Sequence, residues 1–336
     1  MKNRAAVALA ALALPVALAG CGEDGAADAG ARGDDGAADA GARVAQQWRT
    51  LRSSTAGRTE VAAARIGHAV YVVGGFVAPA GATSAIVERY DLQRNRWTQV
   101  APLPIAVNHA AAVAYGGGLY VLGGYTASDG RAQETNALQR YDPRTNTWTR
   151  LRGAPSARGA LAAGVIRNRL FAAGGAENGK PLDRLEIYAF KTGTWSTGPP
   201  MRLPREHLAA AVHRRSLYVL AGRARGRGNY RVVERYVPGK RRWLRVRKMR
   251  KARGGIAAAT VAGRIVVVGG EEAAGTIAEV EAYDPRRRRW RYLKRLPTPR
   301  HGLGAIAYRG SIYVLEGGPT PRLSYSRRVE ALRIAP

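Results

Sequence analysis

Three of the five histidines, His109, His207 and His301, fall at nearly the same place in a repeated pattern, so a three-imidazole metal site is the first chemistry the sequence offers. A second is Glu271-Glu272, adjacent carboxylates able to serve as general acid and base, although solvated loop charge is the plainer reading. A third is the Arg-Gly run at 223–228, with Arg223, Arg225 and Arg227. Together with Phe76, Tyr125 and Tyr230 it interleaves arginine with aromatic rings, which suits an acidic sugar or peptide. Such runs also occur in nucleic-acid-binding segments. One cysteine, Cys21, excludes an internal disulfide, a Cys-rich zinc site and an iron–sulfur cluster, each of which needs two or more thiols. No nucleophile motif, phosphate loop or paired-carboxylate signature stands out. The expectation is therefore no catalytic residue, no cofactor and no metal.

Stepping along the chain, residues 1–21 carry Lys2 and Arg4, an apolar stretch from Ala5 to Ala19, and the ending Leu18-Ala19-Gly20-Cys21. The stretch is shorter than the roughly 20 residues of a membrane-spanning helix, so it reads as an export signal. Its last four residues resemble a bacterial lipobox, which implies lipidation at Cys21. Residues 22–43 are Gly, Ala and Asp, with GAADAGAR at 25–32 repeated at 36–43; this segment is expected to be a disordered tether spanning on the order of 25 Å. Residues 44–336 then hold 50 bases and 18 acids, near +32 against +30 for the whole chain.

That remainder is repetitive at a period near 50 residues. A short apolar run and glycines recur as YVVGG at 71–75, YVLGG at 120–124, FAAGG at 171–175, YVLAG at 218–222, VVVGG at 266–270 and YVLEGG at 313–318. Tyr90, Tyr141, Tyr188, Tyr236 and Tyr283 follow, each with a Trp seven residues later: Trp97, Trp148, Trp195, Trp243 and Trp290. The sixth repeat ends at Leu332 without a Trp, and the sixth Trp, Trp48, precedes the first repeat. Six blades closed into a ring, the outer strand of the last supplied by the N-terminal strand around Trp48, use all six indoles and leave no open edge.

On these features residues 44–336 resemble the kelch-repeat family, which implies an all-β, six-bladed kelch-type β-propeller of four-stranded blades. The departures are Ala221 in place of a glycine in blade 4, Glu316 interrupting blade 6, and an Asp after the repeat Tyr only in blades 1, 2 and 5. Kelch repeats commonly carry His where His109 and His207 stand, and alternate blades should spread these residues around the channel. Galactose oxidase, a copper enzyme with kelch blades, needs a Cys–Tyr cross-link that this propeller lacks. Sialic-acid mutarotases are also exported kelch proteins, so a carbohydrate enzyme is the alternative to a binding module. Its mark would be an Arg facing a Glu across a space sized for one sugar.

Two patterns follow from aligning the repeats. Ahead of each blade stand Arg58, Val107, Arg158, Arg205, Arg253 and Arg300, and two residues before the repeat Tyr or Leu332 stand Glu88, Gln139, Glu186, Glu234, Glu281 and Glu330. Blade 2 alone lacks both charges, so five structural Arg–Glu pairs within blades are expected. The a–b and c–d turns collect 18 bases, including Arg241, Arg242, Arg286, Arg287, Arg288 and Arg289, against Asp91, Asp142 and Asp284. This face is expected to meet an anionic membrane surface, beside a lipid anchor, at the outer face of the cell membrane or in the envelope. The opposite b–c/d–a rim, with Phe76, Tyr125, Arg223, Arg225, Arg227, Tyr230, Glu271 and Glu272, is expected to take a protein or glycan. A monomer is expected, and nucleic acid is not an expected partner of an exported chain. Adhesion to polyanions by charge alone is a third reading.

Overall fold

The small and β-branched residues of each repeat build antiparallel strands, and in the computed structural model, which describes residues 47–128, 131–224 and 226–334, these form six four-stranded blades. Strands a to d are Ala62–Ile66, Ala69–Val73, Val87–Asp91 and Arg96–Gln99 in blade 1, and Ala111–Tyr115, Gly118–Leu122, Leu138–Asp142 and Thr147–Leu151 in blade 2. Blade 3 has Ala162–Ile166, Arg169–Ala173, Leu185–Ala189 and Thr194–Thr197, and blade 4 has Ala209–His213, Ser216–Leu220, Val233–Val237 and Arg242–Val246. Blade 5 has Gly254–Val261, Arg264–Glu272, Glu281–Asp284 and Arg289–Tyr292, with Gly275–Thr276 added beside strand b. Blade 6 has Gly304–Tyr308, Ser311–Leu315 and Val329–Arg333, and Trp48–Thr50 pairs with the last of these, Trp48 opposite Leu332. The chain divides at Arg43/Val44 into two units, and every described residue belongs to the second. The signal, Cys21 and the tether lie outside the described residues, as does Arg225.

Burial follows position in the blade. Strand b is covered on both faces by neighbouring blades, so Ala69–Val73 and Ser311–Leu315 are buried throughout instead of alternating. Strand a, nearest the axis, is built largely of alanine in blades 1 to 4, because the inner strands converge there. Six apolar clusters each join adjacent blades, the last joining Ile306, Tyr313 and Leu315 of blade 6 to Val70, Val72, Tyr90 and Trp97 of blade 1.

Hydrogen bonds circle the axis in three rings. Near the axis the N–H groups of His109, Ala160, His207, Gly255, Gly302 and Val61 donate to the carbonyls of Glu60, His109, Ala160, His207, Gly255 and Gly302, at 2.9–3.2 Å. Farther out, the N–H groups of Gly75, Gly124, Gly175, Gly222, Gly270 and Gly317 donate to the next blade, at Val107, Arg158, Arg205, Arg253, Arg300 and Arg58. At the outer edge each indole N–H reaches the connection leaving the previous blade: Trp97 to Arg52 O, Trp148 to Ala101 O, Trp195 to Arg152 O, Trp243 to Pro199 O, Trp290 to Arg247 O and Trp48 to Lys294 O. Each ring has six members and each closes between blade 6 and blade 1.

The second ring corrects the reading of blade 6. Gly317 makes the bond that Gly75 makes, so it is the second glycine of its pair, and Glu316 occupies the first position, at φ 55, with its N–H on Arg328 O as Gly74 N–H is on Ile86 O. Glu316 is a replacement and not an insertion. Ala221, at φ 49, replaces the first glycine of blade 4 in the same way. The second glycines have φ of 87–109°, and a Cβ on Gly270 would stand 2.7 Å from Ile256 Cγ2 and 2.9 Å from Gly254 O. Only glycine is free to adopt that backbone.

Below the rings lie the arginines. The guanidinium–carboxylate distances are 2.8 Å for Arg58–Glu88 and Arg158–Glu186, 2.7 Å for Arg253–Glu281, and 2.5 Å for Arg205–Glu234 and Arg300–Glu330. All ten residues are buried. The carboxylates also bind the incoming d–a connection: Glu88, Glu234 and Glu281 accept backbone N–H groups, Glu281 from Arg250 and Lys251, while Glu186 and Glu330 accept the hydroxyls of Ser156 and Thr298. In blade 2 the neutral Gln139 performs that task, accepting from Ile105 N–H at 2.9 Å, and no cation is needed. Arg253→Val should therefore cost about 3–5 kcal/mol, because it leaves Glu281 charged and buried without its partner. Arg253→Val/Glu281→Gln copies blade 2 and should recover much of the loss. Equal costs for Arg253→Val and the double variant in chemical denaturation would show that the unpaired Glu281 charge is not the source of the loss.

Arg58 also holds Glu316 at 2.9 Å, so one guanidinium serves two buried carboxylates. Burial pushes the Glu316 carboxyl up to about 7, against the pull of Arg58 and with the push of Glu88. Its folded-state pKa thus lies above the unfolded value of 4.5, so its contribution to stability is full below pH 4.5 and is lost as pH rises through 7. Glu316→Gln should raise Tm at pH 8 and change it little at pH 5; a variant that tracks the parent at both pH values would refute this assignment.

Candidate functional site

Two residues beyond each buried arginine, or beyond Val107, the chain turns through the left-handed region: Glu60 (φ 52), His109 (53), Ala160 (53), His207 (52), Gly255 (68) and Gly302 (59). The turn serves the inner ring of hydrogen bonds and makes these positions a collar around one mouth of the channel. Four of the six are non-glycine residues held in a costly conformation, a kind of strain that concentrates at functional sites. The mouth they line, with Val61, Ala110, Leu161, Leu208, Ile256 and Leu303, has a volume of about 70 Å³.

Polar side chains at this mouth form a closed cycle. Glu60 Oε2 is 3.2 Å from His109 Nε2, which is 3.1 Å from His207 Nε2. His207 Nδ1 meets Glu206, whose other oxygen accepts Arg223 Nε at 3.0 Å. Arg223 Nη1 donates to Glu271 at 2.8 Å and Nη2 to His207 Nε2 at 3.0 Å. Glu271 lies 3.7 Å from His301 Nδ1, which is 3.1 Å from Glu60 Oε1. Burial pushes His109 down to about 4 in spite of Glu60, keeping it neutral at pH 7. Burial would raise Glu60, but the surrounding His109, His301 and His207 hold it well below the usual carboxylate range. His301 is raised, because Glu60 and Glu271 outweigh its burial. Burial likewise opposes but does not cancel the lowering of Glu206 by His207 and Arg223.

This geometry overturns the expectation that the histidines lie spread around the channel. Left-handed turns at one repeat position aim side chains at the axis, so blades 2 and 4 bring their imidazoles into contact across blade 3. Asn108 Oδ1, 2.6 Å from His109 Nδ1, and Glu206 at His207 Nδ1 leave both Nε2 atoms beside Glu60. Two imidazoles and a carboxylate within 4.8 Å are a donor set able to hold a divalent ion. Such an ion would compete with Arg223 for His207 Nε2.

The rim residues divide. Phe76 and Tyr125 set their rings edge-on to His109, at 5.8 and 5.5 Å, and Arg223 and Glu271 belong to the cycle. Glu271 and Glu272 are neighbours on one strand and point to opposite sides; Glu272 pairs outward with Lys251 at 3.0 Å, so the two cannot work as an acid/base couple. Nor is Glu271 a solvated loop charge, being held by Arg223. Arg227 is exposed and Tyr230 half-buried, and among the described residues no contact ties either to the cycle. Outside the cycle a groove of about 600 Å³ runs between the rim loops of blades 4, 5 and 6, lined by Arg223, Asn229, Glu271, Glu272, Pro321 and Arg322 among others. Glu60, Glu206, Asn108 and Arg322 escaped the sequence reading; the first shares the repeat position of His109 and was open to the same alignment. Arg241, Arg242 and Arg286 to Arg289 lie exposed in c–d turns at the opposite ends of the strands, where Trp48 also enters.

The comparisons agree with this architecture. A family profile described as the KLHDC2/KLHL20/DRC7 Kelch-repeats domain matches residues 60–249, and one described as the Kelch motif matches 252–297. Kelch-like protein terF of Aspergillus terreus is 33% identical over 245 residues, covering 67% of this chain and 53% of that protein. Kelch repeat and BTB domain-containing protein 12 of Danio rerio is 30% identical over 172 residues, 47% of this chain and 27% of that protein. The chain thus spans about half or less of these relatives. The solved structure of YjhT superposes with a TM-score of 0.72 at 15% identity, covering 83% of this chain and 95% of the other, a likeness of fold. With six blades in register and a family profile spanning more than half its length, this chain belongs to the kelch-repeat family.

Proposed function

We propose that the chain is an exported kelch-repeat lipoprotein, held at the cell envelope through Cys21 and the 22–43 tether, whose b–c/d–a rim binds a protein partner. The observation that carries the binding reading is the contrast between the two spaces on that rim. The mouth of about 70 Å³ is far below the roughly 300 Å³ at which small-molecule pockets begin, and Arg223 is already bonded to both Glu206 and Glu271, so at the channel mouth no sugar-sized gap separates Arg223 from either carboxylate. This weighs against the mutarotase-like alternative. The groove of about 600 Å³ is open and carries both charge signs, as a polar peptide surface requires. On the opposite face, the basic c–d turns and the position of Trp48 support an orientation toward an anionic bilayer.

Anchoring is tested in a bacterial host: the parent chain should sediment with membranes and incorporate labelled fatty acid, and Cys21→Ser should do neither. Membrane-bound, labelled Cys21→Ser would reject lipidation at this residue. For the rim, the immobilised 44–336 unit should retain a defined set of envelope proteins at physiological salt, and Glu272→Lys/Arg322→Glu should lose them. Retention unchanged by the double variant and abolished by salt alone would replace the rim reading with adhesion by charge.

A further inference from the structure

The basic face is uneven, and its unevenness has a cause in the repeat. In blades 1 and 2 the Asp after the repeat Tyr neutralises the arginine two residues before it, Asp91 lying 3.4 Å from Arg89 and Asp142 3.5 Å from Arg140. Asp142 also holds Arg144 at 3.1 Å, and in blade 5 Asp284 accepts the N–H groups of Arg286 and Arg287. Blades 3, 4 and 6 carry Ala189, Val237 and Arg333 at that position, and Arg333 donates to Arg309 O. Arg235 is the counterpart of Arg89 and Arg140, and with Val237 in place of Asp it has lost its carboxylate; its Nε is buried and without a hydrogen-bond partner.

Between blades 3 and 4, neighbours that both lack the acid, there is a cleft. Its volume is about 490 Å³, and its lining brings Arg167 and Arg169 of the blade 3 a–b turn together with Arg214 and Arg215 of the blade 4 turn, beside Arg235 and Val237. No carboxylate lines it. Among the described residues none of these five guanidinium groups has an ion pair, and Arg167, Arg169, Arg214 and Arg215 have no side-chain hydrogen bond either. Five cations around one concavity repel each other, and a bound polyanion would relieve that repulsion. Guanidinium forks match phosphate oxygens in pairs, and a single carboxylate would leave most of these donors unused.

We infer that the cleft between blades 3 and 4 binds an anion bearing two or more phosphate groups, supplied either as a free polyphosphate or as a phospholipid headgroup. The inference deepens the reading of the basic face and rests on it only for the headgroup source. Three arms separate the possibilities, using the 44–336 unit, which contains every closing interaction described above.

Titration with inorganic tripolyphosphate at 150 mM salt should show saturable one-to-one binding. Val237→Asp, which restores the carboxylate that blades 1, 2 and 5 tolerate, should weaken it at least tenfold without lowering Tm, and Arg167→Gln/Arg215→Gln should weaken it similarly. Should Val237→Asp misfold, the arginine pair alone decides. Absence of saturable binding, or binding indifferent to the variants, overturns the site. Binding to vesicles containing cardiolipin, whose headgroup carries two phosphates, that tripolyphosphate displaces and Val237→Asp weakens assigns the cleft to a headgroup. Saturable tripolyphosphate binding with no vesicle binding assigns it to a soluble phosphate and removes the membrane orientation instead.

Discussion

Circular closure is the constraint on which everything else in this molecule depends. A blade cannot satisfy its own inner N–H groups, its second-glycine N–H or its indole N–H; each finds its acceptor in a neighbour, and the series ends only because blade 6 finds blade 1. The closing strand, Trp48–Thr50, is three residues long, yet it fills the outer position of blade 6 and lends that blade the sixth indole. A chain broken at this point would expose a strand edge and leave members of the indole ring unpaired at once, so closure ties the two ends of the sequence to the stability of every blade.

The same constraint sorts the repeat into positions that cannot vary and positions that can. The second glycine is present in all six blades because its N–H must reach the next blade from a backbone conformation closed to other residues. The first glycine sits at φ of 49–68° and admits Ala221 and Glu316, since that region is merely costly for an L-residue. The buried Arg–Glu pair is replaceable as a unit: Val107 and Gln139 keep the hydrogen bonds to the d–a connection and remove both charges together. The collar position needs only its backbone, so its side chains, Glu, His, Ala, His, Gly and Gly, are free to serve something else.

That division explains what was legible in the sequence. The blades, the Trp register, the closing strand and the Arg–Glu partners all recur with a fixed spacing, and a fixed spacing within a repeat becomes a fixed contact within or beside a blade. The polar cycle at the mouth was not legible. His109 and His207 are 98 residues apart, and their contact depends on the curvature of the ring and on a left-handed turn that the residue type does not announce. Glu271 and Glu272 read as a pair because they are adjacent, whereas adjacency in a strand sends side chains to opposite sides. Glu316 read as an insertion because glycine identity was used to align blade 6, when the hydrogen bond from Gly317 to Arg58 is what defines the register.

Departures from the repeat therefore carry the functional information, and they are of two kinds. Some are compensated inside the fold: Val107 with Gln139, and Glu316 with the spare capacity of Arg58. Others are not absorbed by the scaffold. Glu60, His109 and His207 answer one another across the axis in a conformation that ring closure alone would allow to glycine, which sets the mouth apart from scaffold. At Val237 the arginine that its counterparts neutralise remains, resting over the Tyr218 ring at 5.7 Å with no ion pair among the described residues, and four more guanidinium groups stand at the same cleft. A random excess of arginine would spread evenly over six equivalent turns. Blades 3, 4 and 6 all lack the acid, but in blade 6 Arg333 donates to Arg309 O, whereas five guanidinium groups with no ion pair among the described residues gather at one cleft between the neighbouring blades 3 and 4, and that concentration separates a binding site from a merely basic surface.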